Sequence, residues 1–92
     1  MSDAPKPLTG GSSSYYTVTV EKPTSGGDPY VAECNDIIEA LKMDFRTGNM
    51  FKAVWRLAAA AQGVGKPGTT MKYDTEKIIF YAERELALLE DK

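Results

Sequence analysis

Three blocks of apolar residues at three- and four-residue spacing, all between Asp28 and Leu89, limit what this chain can fold into. In the first, Val31, Cys34, Ile37, Ile38 and Leu41 recur after Asp28-Pro29, a pair suited to the N-cap and first position of a helix. The second begins between Asp44 and Asn49, with Thr47 available as a cap. It continues through the alanine-rich stretch from Leu57 to Gln62 until Gly63 ends it. The third runs from near Asp74 to about Leu89, with Ile78, Ala82, Leu86 and Leu89 as its apolar stripe. The predicted fold is mainly α, a three-helix antiparallel arrangement. Domains near 60 residues bury only about 60% of the surface their unfolded chains expose, so oligomerisation is expected to complete the core.

The N-terminal part has a different composition. Residues 1–14 combine Pro5, Pro7, paired glycines and a serine run, which reads as a disordered leader. Residues 15–27 are expected to form a short β arm and loop: Tyr15 to Glu21 alternates and is rich in β-branched and aromatic residues, and Pro23 stops it. No second strand is evident from the sequence. The arm therefore pairs with a neighbouring subunit, lies along the helices or stays unpaired. Residues 28–92 make up the helical domain.

Charge and composition exclude several functions. A net charge of -2 argues against duplex nucleic acid or a membrane surface as partner. No apolar run approaches a membrane span and the start is polar, so the expected location is the cytosol. Cys34 is the single cysteine and sits on an apolar helical face, where it reads as an inert core thiol. Histidine is absent, which removes the usual general base and most zinc arrangements.

What remains is chemistry by cations, carboxylates and phosphates. Asn49, Lys52 and Arg56 fall on one helical stripe, a plausible anion grip, while Phe51, Val54, Trp55, Ala58 and Ala61 are expected to pack inward. Asp74, Lys77, Tyr81 and Arg84 form a second polar stripe on the third helix. Glu33, Asp36 and Asp74 are the acids suited to a magnesium ion, although acids on a surface helix, and Asp74 as a cap, are equally ordinary readings. The stretch from Gly63 to Thr70 is not a P-loop. Pro67 follows Lys66 where a hydroxyl residue is needed, and the stretch follows a helix rather than a strand, although Lys66 can still touch an anion.

Glu33-Cys34 with Ile37-Ile38, Gly48-Asn49 followed by Lys52 and Arg56, and then Asp74, Lys77, Tyr81 and Arg84 together resemble a small phage-encoded family of mostly unknown function. That family includes the P-loop-less nucleotide kinase of a T-odd coliphage. The resemblance spans Tyr30 to Leu89 and departs at Ala53, where the family usually has tyrosine, and in a longer, glycine-rich connector. It implies a nucleotide-binding helical domain in a host-cell cytosol, with Lys52, Arg56, Lys77 and Arg84 on phosphate oxygens. Asn49 would hydrogen-bond a base or ribose, Tyr30 and Tyr81 would stack on a base or donate to phosphate, and Glu33, Asp36 or Asp74 would hold magnesium or a ribose hydroxyl. The outcomes it allows are phosphorylation of a deoxynucleoside monophosphate or non-catalytic capture of a nucleotide, including a host antiphage signalling nucleotide. A protein–protein inhibitor that engages a host protein through the β arm is the competing class.

Overall fold

The computed structural model describes residues 14–90, so the leader assigned to residues 1–14 lies almost wholly outside the described residues. A 3-10 turn at Ser14–Tyr16 leads into strand β1, Thr17–Val20. Strand β2, Tyr30–Glu33, pairs with it antiparallel, Val18 opposite Ala32 and Val20 opposite Tyr30. Three helices follow: α1 at Cys34–Ala40, α2 at Phe45–Ala61 and α3 at Met71–Glu90. The chain is mainly helical with a two-stranded sheet near its N-terminal end.

The first helix differs from its expected start. Asp28-Pro29 opens no helix; Tyr30 to Glu33 are extended and supply β1 with its partner from within the chain. Aromatic and β-branched residues at Tyr30 and Val31 suit a pleated surface, and the backbone of β1 pairs with theirs. Pro23 accepts a hydrogen bond from Gly26 at 3.0 Å, and Gly26 and Gly27 both take positive φ in the reversal. Helix α1 is left with two turns, capped at its end by Lys42 in the left-handed region at φ 53. There Lys42 N–H donates to Glu39 and Met43 N–H to Ile38, the paired closure that glycine usually makes.

Helix α2 begins where its pattern places it, but the cap is Asp44, whose carboxylate accepts the Thr47 amide at 2.8 Å. The Thr47 amide bond holds the Asp44 carboxyl below its ordinary range, with Arg46 adding to the effect. Gly63 at φ 82 ends the helix, with Val64 N–H donating to Ala59. Helix α3 starts one turn before Asp74, because the Thr70 hydroxyl accepts the Tyr73 amide.

Helices α2 and α3 form the main packing unit. Arg56 pairs with Asp74, and Arg46 with Glu85, so the two run antiparallel with the start of one level with the end of the other. The packing inverts the expected orientation. On α3, Asp74 is buried and Lys77, Ile78, Tyr81 and Glu85 are half-buried, whereas Ala82, Leu86 and Leu89 face solvent. On α2, Gly48, Ala53 and Arg56 are buried while Val54, Ala58 and Ala61 are exposed. Polar stripes meet between the helices because both arginines of α2 find a carboxylate on α3. Among the described residues only Cys34 and Ala53 are fully buried hydrophobic side chains.

Candidate functional site

The site is built around Arg56. It is 5% exposed and Asp74 1% exposed, and both Nε and an Nη of the guanidinium lie 2.9 Å from Asp74 Oδ1. The other Nη donates to the Tyr16 hydroxyl at 2.8 Å. Burial opposes the charge on Arg56, but the hydrogen bonds to Tyr16 and Asp74 outweigh it and hold the group above its ordinary value. No buried side-chain polar atom among the described residues lacks a hydrogen-bond partner. The pair is therefore a finished structural tie between the N-terminal turn, α2 and α3, and a phosphate reaching Arg56 would have to displace Asp74 or Tyr16.

Lys52, one turn earlier on α2, holds its ammonium 5.7 Å from the centre of the Tyr16 ring. Cys34 lies buried beside the same group. Burial pushes its thiol up, and the positive fields of Lys52 and Arg56 only partly offset this, so Cys34 is an inert core thiol rather than a nucleophile.

The antiparallel register sets Lys52 level with Lys77 and Asn49 level with Tyr81. At about 100° per residue, helical phase carries Lys77, Tyr81 and Arg84 to the same side of the hairpin as Lys52 and Asn49. The contact between the Phe45 and Tyr81 rings, 5.9 Å apart, lies on that side. Lys77 holds its ammonium 5.6 Å from the Tyr73 ring centre. Both lysines thus rest on tyrosine faces, with no carboxylate of the described residues within ion-pair distance. Arg84 is exposed and stands about 15 Å along α3 from Asp74, the rise of ten helical residues, so it belongs to the far end of this side.

The remaining predicted residues are dispersed. Asn49 turns its amide onto its own helix, donating to the Phe45 carbonyl at 2.7 Å. Tyr30 is exposed on β2 and Lys66 is half-buried in the α2–α3 connector. Glu33 ends β2, Asp36 is exposed in the first turn of α1, and Asp74 is committed to Arg56. Among the described residues no group of three or more acids or thiols stands where it could hold a metal ion. Magnesium on this side would have to enter with phosphate oxygens supplying much of its coordination. Tyr16, which contacts both Arg56 and Lys52, is the residue of this site that sequence reading missed. Its position forty residues before Arg56 gives no local signal.

The face of α2 turned away from α3 is apolar. A groove of about 380 Å³ lies beside α2, walled by Phe51, Val54, Trp55, Ala58 and Val64, with Val18 of β1 across from them. Phe51 and Trp55, expected in a closed core, make an edge-to-face pair at 5.8 Å along it. No helix among the described residues is long and apolar enough to cross a membrane. Comparison with protein-family models, with curated proteins and with solved structures finds no match to this chain.

Proposed function

We propose that this chain binds a nucleotide on the cationic side of the α2–α3 hairpin and works as a self-associated assembly. The observation that carries the reading is the pairing of Lys52 and Lys77 at one level on one side, each on a tyrosine face and without a carboxylate partner among the described residues. Two ammonium groups from separate helices suit a phosphate chain better than a single carboxylate. Arg84, further along, extends the track. Arg56 and Asp74 then act as positioning residues. They fix the two helices in register and hold Tyr16 beneath Lys52. The resemblance of the Gly48 to Arg56 and Asp74 to Arg84 motifs to the phage nucleotide kinase family supports the same reading.

A thermal-stability panel of linear and cyclic nucleotides tests it. A ligand at 100 times its dissociation constant raises stability by about 2.7 kcal/mol, and Lys52→Ala and Lys77→Ala should each abolish that rise while leaving the unliganded melting temperature nearly unchanged. Failure of every nucleotide to stabilise the wild-type chain would sink the proposal. Incubation of a binding nucleoside monophosphate with ATP and magnesium then separates its two forms, phosphoryl transfer giving a diphosphate and capture returning the ligand intact.

A further inference from the structure

We propose that the cationic side of the hairpin takes a nucleoside phosphorylated on both its 5′ and 3′ oxygens, the repeating unit of a single nucleic-acid strand, with its base on the rings of Phe80, Tyr81 and Phe45. The proposal rests on the reading that this side binds a nucleotide, and it names which kind. Tyr73, Lys77, Phe80, Tyr81 and Arg84 follow one another on α3 at spacings that keep them on one stripe, and rings and cations alternate along it. No carboxylate stands on that stripe. Asp74 and Glu85 turn toward α2, where Arg56 and Arg46 hold them, and Glu76 and Glu83 fall on the face of α3 opposite those two. Neither Lys77 nor Arg84 has an ion-pair partner among the described residues.

The rings form a connected set. Tyr81 meets Phe80 edge to face with centroids 5.0 Å apart, and meets Phe45 of α2 at 5.9 Å, while Phe80 and Phe45 remain 55% and 73% exposed. A phenylalanine has no polar tip to keep in water, so two left this open beside cations offer π faces to a flat ligand. Tyr73 has a different role, because its ring already carries the Lys77 ammonium. Stacking of this kind needs an unpaired base, which a duplex does not present.

The order along the helix selects the ligand. Lys52 and Lys77 stand at one level, Phe80 and Tyr81 come next, and Arg84 lies beyond them, about 10 Å along α3 from Lys77, the rise of seven residues. A nucleoside mono-, di- or triphosphate carries its phosphates at one end. With those on the lysine pair and its base on the rings, it leaves Arg84 without an anion. Phosphates stand on either side of a base only where the sugar is esterified at two oxygens, so the second phosphate of such a unit reaches the Arg84 guanidinium, whose fork suits it.

Titration calorimetry on the full chain tests this with three probes, the 5′-monophosphate, the 3′,5′-bisphosphate and a single-stranded tetranucleotide, each in a thymidine and a deoxyadenosine series. The bisphosphate should bind at least ten-fold tighter than the monophosphate. Arg84→Ala should erase that ratio and leave the monophosphate affinity unchanged, whereas Phe80→Ala should weaken both ligands at least five-fold. Both side chains are exposed, so the unliganded melting temperature should stay where it is in each variant. A tetranucleotide that binds tighter still identifies a strand as the source of the unit, and one that binds no tighter identifies a free nucleoside bisphosphate. A bisphosphate that binds no tighter than the monophosphate would overturn the proposal and leave nucleotide binding standing. Failure of every probe to bind would overturn both.

Discussion

The junction of α2 with α3 and the groove on the outer face of α2 solve opposite problems. The junction encloses an arginine, an aspartate and a tyrosine hydroxyl hydrogen-bonded to one another; the groove leaves apolar residues open, Val54 48% and Val64 47% exposed. In most small domains the apolar stripe is closed and the charged one is wet. Here register between the helices comes from charge, and apolar area remains available for something outside the fold. A buried ion pair contributes little net stability, because desolvation offsets most of its Coulomb attraction, but it is costly to break. The junction therefore defines the geometry more than it stabilises it.

The largest effect should come from breaking that tie. Arg56→Ala or Asp74→Ala leaves one charge buried without its partner and should cost about 3–5 kcal/mol in urea unfolding, a large share of a small domain's total. Arg56→Met combined with Asp74→Leu should be neutral or stabilising by about 1–4 kcal/mol. If that double variant still binds nucleotide, Arg56 contributes through position alone. At the groove, Val54→Ser should change unfolding free energy by no more than about 0.5 kcal/mol, since Val54 is already 48% exposed. A larger loss there would mean that the groove is part of the monomer's core.

The smallest effect concerns the cap of α2. The Asp44 carboxyl is held below its ordinary value in the folded chain, so the stability it contributes is complete above the unfolded carboxylate pKa of about 3.9 and is lost as pH falls through the lower native value. The melting temperature of Asp44→Ala should lie slightly below wild type at neutral pH, and the gap should close in acid.

Much of this was legible in the sequence. The extent of α2, its glycine stop at Gly63 and the two polar stripes follow from spacing and from residues with one strong conformational preference. Strand β2 was not legible, because Asp28-Pro29 is a sound helix opening and Val31 and Cys34 fit a helical stripe as well as they fit a strand. Only β1, ten residues away, decides between them. The inward direction of the polar stripes was equally hidden. Periodicity shows that Lys52 and Arg56 share a face opposite Val54, but which face meets α3 depends on Asp74 and Glu85 standing at the matching levels. The shared side of Lys52 and Lys77 follows from the same pairing.

The Tyr16–Arg56–Asp74 tie has a consequence for how the chain is made. Its three members are separated by forty and eighteen residues, and they emerge from the ribosome in that order. The guanidinium of Arg56 cannot leave water until Asp74 has been translated, so α2 has no reason to settle before α3 exists. Tyr16, which emerges first of the three, waits longest for its partner. A nascent chain stalled before Asp74 would expose the apolar groove without the tie that fixes its helix in place, the interval in which such a chain is most open to capture by a chaperone or by another copy of itself.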